Sequence, residues 1–568
     1  MQKYNISNGM NKKENGNDLG PYVLDLSRKE KEVLCEAQPV KSRFPFKKMI
    51  AGIILAAFLS IANYSTDLYK SFREIKNNYL TASAMSEENI AELGRLLEAV
   101  NFLPGTKETK KIKELAGSFE EFKSILGFDW PKKYLLVFQN PSESRATGGF
   151  IGSVGVLKID GGKVESIKLN DVYNIDGQLI GNIEPPRPIK KISAAWSLHD
   201  SNWFFDFPTS SEKINWFYER AGGETMDGII AINPKVVLDL LKAIGPVKVE
   251  KYGVELSEKN FIELTSRQVE SEYDKTVNQP KLFLADFLKV LKEKLDSLPA
   301  YKKISIAKNF IVNLDQKDIQ VNFKDSGAQA FVEDHNWAGK ANYSEKDYLA
   351  IVHSSINGFK TDAVMDEAAT LTSEIEEDGS VINTLTITRA HKGDESMDDW
   401  YKRVNSDYLR IYVPRGSELI EATGMTKDDH FVKDSAVDYS NFVKDELLTE
   451  TENSKEVDLK NNVEILREAE KTVFASWVYV SLGESVTVSY RYRLPFKVDF
   501  DAPQATGSYS ILFQKQSGAR LKTINHEISF PENWRIIGNY ADFTIKNGKI
   551  SKVIDMESDK FSGVIFGK

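Results

Sequence analysis

The sequence predicts an α/β domain joined to an all-β region, with a transmembrane helix and a helical stalk ahead of both. Three observations predict it. Met49–Tyr64, MIAGIILAAFLSIANY, carries no charge in 16 residues. Between about 129 and 344, strand-like and helix-like segments alternate, the pattern of a layered α/β domain. After about 345 the chain turns to short alternating strands spaced by Gly, Pro and Asn, the pattern of a β-sandwich. At 568 residues there is length for about three or four domains.

The elements follow in chain order. Residues 1–43 are polar, with SNGMNKKENGNDLG and no sustained apolar period, and read as a disordered cytoplasmic tail. Residues 44–65 read as an uncleaved transmembrane helix, because about 20 apolar residues span a bilayer core. Lys41, Arg43, Lys47 and Lys48 precede it without an acid, which keeps that flank in the cytoplasm and the rest of the chain outside. Some 48 residues before the apolar run argue against a cleaved signal peptide. Residues 66–128 read as a helical stalk, with Leu68, Phe72, Ile75 and Tyr79 at helical spacing.

In the α/β domain, YLLVFQ is a continuous apolar run, as in a strand buried on both faces. DGG joins FIGSVGVLKI and KVESIKL as a hairpin turn. Thr209 and Glu212 read as a capping box for a helix ended by Gly222. Asn233 caps a second helix, with Pro234 at its first position and Gly245-Pro246 at its end. Two more helices fall at about 257–273 and 278–298. The β-sandwich region, 345–568, holds the hairpin turn DGS and an acidic and basic insertion at 427–468 with a short helix.

The net charge of −9 excludes a general nucleic-acid binder, which needs a strongly basic face. Cys35 is the only cysteine, so no disulfide staples the outer portion and it relies on its apolar cores. There is no phosphate-binding loop, nucleophile elbow or zinc-spaced His pair.

Two loops carry candidate ligand residues. The first is NPSESRATGG, with Asn140, Glu143, Arg145, Thr147, Gly148 and Gly149. It follows an apolar strand, where α/β sheets gather ligands. The Arg145 fork suits carboxylate or phosphate, and two glycines let backbone N–H groups turn outward. The plain alternative is a loop in which Arg145 pairs with Glu143. The second is HDSNWFFDFPTS, with His199, Asn202, Asp200 and Asp206. Its acids suit a divalent cation, or cap the following helix, and its rings suit a packed plug.

At these loops the chain resembles a known group. YLLVFQNPSESRATGGFIGSVGVLKIDGGKV and HDSNWFFDFPTSSEKI resemble the two signatures of the bacterial domain-of-unknown-function 4012 family, and NGFKTD and YVPRGSEL its later landmarks. The resemblance implies a membrane-anchored envelope protein and no established activity. More distantly, KISAAWS and GGETMDGIIAINPKVVLDLLKAIGPVKVE are similar to the core of the LytR-CpsA-Psr family. Those enzymes move glycopolymers from a polyprenyl-pyrophosphate lipid, with arginines, aspartates and magnesium at the site. That likeness places Arg145 near one family arginine and Asp171 near an aspartate, so Asp171, Asp200 and Asp206 become metal candidates. Further family arginines are absent: Asn170 stands where the family has one, and TVNQPKLFLADF has none.

The expectation is therefore a single-pass envelope protein whose α/β domain binds an anionic ligand, such as a polyprenyl-linked glycan or cell-wall polymer. The alternatives are a non-catalytic surface scaffold or adhesion protein, and an active glycopolymer transferase.

Overall fold

The computed structural model describes residues 22–25, 124–270, 282–298, 300–427, 437–500, 506–540, 543–546 and 549–568. The expected transmembrane helix at 44–65, and the expected stalk up to 123, lie outside the described residues. Among the described residues no helix is long and apolar enough to cross a membrane.

In chain order the α/β domain contains β1 (Tyr22–Asp25), β2 (Lys132–Asn140), β3 (Phe150–Asp160), β4 (Lys163–Asp171), α1 (Val172–Asp176), α2 (Phe207–Arg220), β5 (Gly228–Ile232) and α3 (Pro234–Ile244). It continues with β6 (Val247–Val249), β7 (Val254–Leu256), α4 (Phe261–Glu270), α5 (Leu282–Asp296), α6 (Ala300–Asp315), β8 (Ile319–Phe323) and α7 (Ser326–Asp334). The main sheet runs β1-β4-β3-β2-β5-β8. Only β2 and β5 pair in parallel, and the rest of the sheet is antiparallel. β2 lies inside the sheet with Tyr134 packed on one face and Leu135 and Val137 on the other, which is why its apolar run is continuous. Gly161 and Gly162 take positive φ at the β3–β4 turn, as the DGG pattern requires.

Several expectations shift here. The four-residue β1 lies within the tail expected to lack structure, and it pairs with β4. Its YVL run supplies the β-branched and aromatic residues that an edge strand needs. That pairing puts part of the tail on the same side of any membrane as the α/β domain. α2 starts earlier than the Thr209 capping box implied: Asp206 is the N-cap and accepts from the Thr209 N–H. An aspartate followed by Phe207 and Pro208 sets the start, because proline is tolerated in the first turn. The stretch 299–344, without elements in the sequence reading, holds α6, β8 and α7.

The C-terminal region contains β9 (Asp347–Val352), β10 (Met365–Ile375), β11 (Ser380–His391), β12 (Asn405–Pro414), β13 (Glu418–Thr423), α8 (Glu446–Asn453), β14 (Glu456–Asp458) and β15 (Val463–Glu468). Then come β16 (Lys471–Val480), β17 (Ser485–Lys497), β18 (Thr506–Gln514), β19 (Thr523–Ser529), β20 (Arg535–Asn539), β21 (Thr544–Lys546), β22 (Lys549–Asp555) and β23 (Lys560–Gly567). They form a seven-stranded sheet, β13-β17-β11-β10-β19-β22-β21, and an eight-stranded one, β14-β15-β16-β12-β9-β18-β23-β20. The insertion at 427–468 thus contains the expected short helix, α8, and also two strands that extend the larger sheet.

The eight-stranded sheet is covered on both faces. Leu349, Ile351, Leu409, Ile411, Phe474 and Val478 pack toward the seven-stranded sheet. Tyr348, Val352, Tyr408, Tyr412, Val473 and Trp477 pack instead with Leu135, Trp196, Trp203 and Phe207 of the α/β domain. Each fully buried side chain of this size contributes about 1.5–3 kcal/mol. The α/β domain and the sandwich therefore share one apolar core, and both candidate loops lie at that junction.

Candidate functional site

The first loop is held by its own backbone. Asn140 Oδ1 accepts from the Ser142 N–H, and the Glu143 carbonyl accepts from the Phe150 N–H. This returns the chain from β2 to β3 and turns Arg145 inward. Arg145 is 3% exposed. Its Nε donates to Asp200 Oδ1 at 2.8 Å, and its Nη1 donates to the carbonyls of Ser144 at 3.0 Å and Ser355 at 2.5 Å. Asp200 is also buried, and the two form an ion pair. The expectation of an open anion seat at Arg145 is corrected here. The guanidinium is spent on an internal carboxylate and on a carbonyl of the β-sandwich region. Its partner is Asp200 of the second loop, not Glu143.

The glycines tell the same story. Gly148 and Gly149 have φ of 136° and 137°. A Cβ on Gly149 would lie 2.2 Å from the Asn140 carbonyl oxygen, and one on Gly148 would lie 2.4 Å from Gln139 Oε1. Their role is close packing against the protein. The Gly148 N–H donates to the Arg145 carbonyl, and the Gly149 carbonyl accepts from Asn202 Nδ2. Thr147 Oγ1 accepts from Gln139 Nε2 and Asn202 Nδ2. Thr147 and Asn202 are thus brought together, but as interior partners.

The second loop completes a chain of charges. His199 lies between Asp176, 2.6 Å from Nδ1, and Asp200, 3.3 Å from Nε2. Burial alone would lower its pKa; the two carboxylates outweigh that and raise it to about 9. Burial pushes Asp200 upward, but Arg145 and His199 outweigh it and hold that carboxyl well below the usual carboxylate range. Asp176 also accepts from the Leu198 N–H, and the sequence reading had not singled it out. On the outer side the His199 ring meets Phe150 and Tyr173, each at 5.5 Å.

The acids proposed as metal ligands do not converge. Asp171 is the N-cap of α1 and accepts from the Tyr173 N–H. Asp206 caps α2 through Oδ2, while its Oδ1 accepts from the Ala341 N–H. Asp200 faces Arg145 and His199. No group of three or more His, Cys, Asp or Glu side chains placed to hold a metal occurs among the described residues. Capping, the alternative use of the loop acids, is what Asp206 does, and Trp203, Phe204 and Phe205 form the buried plug.

Across the junction the β-sandwich region answers with its own polar groups. Ser144 N–H donates to Asp362 Oδ2, the Asp362 N–H to the Ser142 carbonyl, and the Ser355 N–H to the Ser144 carbonyl. Gln516 Nε2 donates to the Arg145 carbonyl. Arg410 of β12 donates to the Trp203 carbonyl at 2.9 Å, stacks over the Trp203 ring, and pairs with Glu468. Glu468 in turn accepts from the Phe205 N–H. Behind Asp362 lies a second buried cluster. Arg389 Nη1 donates to Asp407, and its Nη2 reaches Asp362 at 3.4 Å. His353 sits between Asp407 at 2.7 Å and Glu367 at 3.1 Å. Burial alone would lower the His353 pKa, but Glu367 and Asp407 raise it to about 10. Sequence reasoning missed these residues. The available signal was a charge inside an apolar strand, as Arg410 is in YLRIYVP, because a charge there must find a buried partner.

No curated protein matches the chain. Among solved structures it is similar to a Legionella pneumophila protein named for nutrient binding, at 7% identity and a TM-score of 0.18, over 36% of this chain and 67% of that one. It is also similar to an M1 zinc metallopeptidase of Deinococcus radiodurans, at 10% identity and a TM-score of 0.15, over 36% of this chain and 42% of that one. This chain thus spans less than half of that peptidase, and likeness at these scores carries no argument here. Residues 129–269, which contain both candidate loops, match the family described as "Protein of unknown function (DUF4012)", and this match supports placing that region of the chain in the DUF4012 family.

Proposed function

We propose that this chain is a non-catalytic scaffold of the bacterial cell envelope, tethered to the membrane by the apolar segment Met49–Tyr64. In this reading the signature residues join the α/β domain to the β-sandwich and present both as one rigid body. The observation that supports it most is the Arg145 fork, buried and closed on Asp200 and on the Ser355 carbonyl. A lipid-pyrophosphate ligand needs cationic groups to face its phosphates, and phosphoryl transfer depends on such stabilisation. Here the matching cation is neutralised internally.

The test compares the full-length protein, purified in detergent, with its Arg145→Ala variant. Thermal unfolding and mass spectrometry of retained lipids are read together. The scaffold reading expects the variant to melt at a clearly lower temperature with the same lipid content as the wild type. A variant that melts like the wild type and loses a polyprenyl lipid overturns it.

A further inference from the structure

A buried constellation away from both loops has the composition of a self-modifying site. Lys317, in the turn between α6 and β8, is only 2% exposed, and its Nζ lies 2.8 Å from Asp559 Oδ2. Asp559 sits in the turn between β22 and β23, and its side chain is 8% exposed. The same Oδ2 accepts from Asn336 Nδ2 at 2.8 Å and from Asn342 Nδ2 at 3.1 Å. Asn342 Nδ2 also donates to Asn336 Oδ1 at 2.9 Å. The other Asp559 oxygen accepts from the Lys515 N–H, and Lys317 Nζ reaches the Lys515 carbonyl at 3.5 Å. Lys317 and Asn336 both hold positive φ, of 60°, so each side chain is delivered from a tight turn.

We propose that Lys317 and Asn336 become joined by an isopeptide bond. Each polar atom has a place in that reaction. Lys317 Nζ is the nucleophile, and Asp559 takes its proton to leave a neutral amine. The amine attacks Asn336 Cγ, and the oxyanion that forms on Oδ1 is stabilised by Asn342 Nδ2. Asp559 passes its proton to Asn336 Nδ2, the Cγ–Nδ2 bond breaks, and ammonia leaves. Asp559 then accepts the second proton of Nζ and passes it to the departing ammonia. A Cγ–Nζ bond has replaced a Cγ–Nδ2 bond, one ammonium is released, and no oxidant or cofactor is consumed.

Burial is what distinguishes this place. Lys235, Asp239 and Asn313 repeat the residue types, with Lys235 Nζ 2.7 Å and Asn313 Nδ2 3.2 Å from the same Asp239 oxygen. There the Lys235 side chain is 45% exposed, against 2% for Lys317, so solvent competes for its amine. The link also has a mechanical logic. Lys317 and Asn336 belong to the α/β domain and Asp559 to the sandwich, so the reaction centre is complete only when the two are packed together.

The test is intact mass spectrometry of the folded full-length protein, followed by tryptic mapping. The wild type is expected about 17 Da below the mass of its sequence, the mass of one ammonia. Mapping should yield a branched peptide joining Lys317 to Asn336. Lys317→Arg, which keeps the ion pair with Asp559, and Asp559→Asn should both have the full sequence mass. A folded wild type of full mass overturns the proposal. So does a loss of ammonia that maps elsewhere, as a succinimide at Asn357–Gly358 would.

Discussion

Arg145 supplies the only cation within ion-pair distance of the Asp200 carboxylate among the described residues, apart from His199. Arg145→Ala therefore leaves a buried carboxylate short of its main partner, and losing one member of such a pair costs about 3–5 kcal/mol. Chemical denaturation is expected to show a loss of that size, and Asp200→Asn should restore part of it in the double variant. The same network sets a pH dependence. His199 is raised to about 9 from 6.5, so its stabilisation is complete below 6.5 and is lost as pH rises through 9. His353, raised to about 10, acts in the same direction. Asp200 is depressed, so its share is present above the ordinary carboxylate value and is lost on acidification. The junction is strongest between roughly pH 4 and 6.5 and weakens toward pH 9, with His199 contributing roughly 3 kcal/mol at most to the decline. In His199→Gln that part of the alkaline decline should vanish from a series of denaturation midpoints.

The elements carry two further expectations. Asp206 caps α2 and accepts from Ala341, so Asp206→Ala should cost about 1–2 kcal/mol, while Asp206→Asn retains much of the cap. Added magnesium should leave the melting temperature of the wild type unchanged, because the three candidate acids are engaged in caps and ion pairs. In β9, burial pushes Asp347 up to about 6, against hydrogen bonds from Tyr509 and Asn383. Its raised value favours the folded state below 3.8, and that share is lost as pH rises through 6. Asp347→Asn should remove this step of roughly 2–3 kcal/mol from the pH profile. Much of the element order was legible in the sequence, because hydrophobic period, turn glycines and Pro234 act locally. The helix Ala300–Asp315 and strand Ile319–Phe323 were not, although their residues carry both patterns. In the sandwich region DYLAIV and KTVFASWVYV fell within the stretch expected to hold alternating strands, and it is the structure that shows both buried on two faces, between the seven-stranded sheet and the α/β domain. What local pattern could not reveal was the partner of a charge. Arg145 and Asp200 are separated by 55 residues, and Arg145 and Ser355 by 210. A binding loop and a buried clasp have the same composition until the chain is folded.

At the scale of the molecule, the tether and the rigid body make separate demands. The basic flank Lys41–Lys48 on its own would keep Cys35 in the cytoplasm, whereas the pairing of Tyr22–Asp25 with β4 holds the tail on the side of the α/β domain, so a membrane-impermeant maleimide is expected to label Cys35 in intact cells. Labelling of Cys35 would place the tail outside, where Tyr22–Asp25 can pair with β4. The rigid body follows from the eight-stranded sheet, whose two faces serve both cores, and from the charges that cross the junction. Two modules that share a core and buried ion pairs should unfold together. The most direct test is differential scanning calorimetry of the full-length protein. The account predicts one transition for the α/β domain and the sandwich, with equal calorimetric and van't Hoff enthalpies, shifted down as a unit by Arg145→Ala. Two separate transitions in the wild type, with Arg145→Ala moving only the one that belongs to the α/β domain, would contradict it.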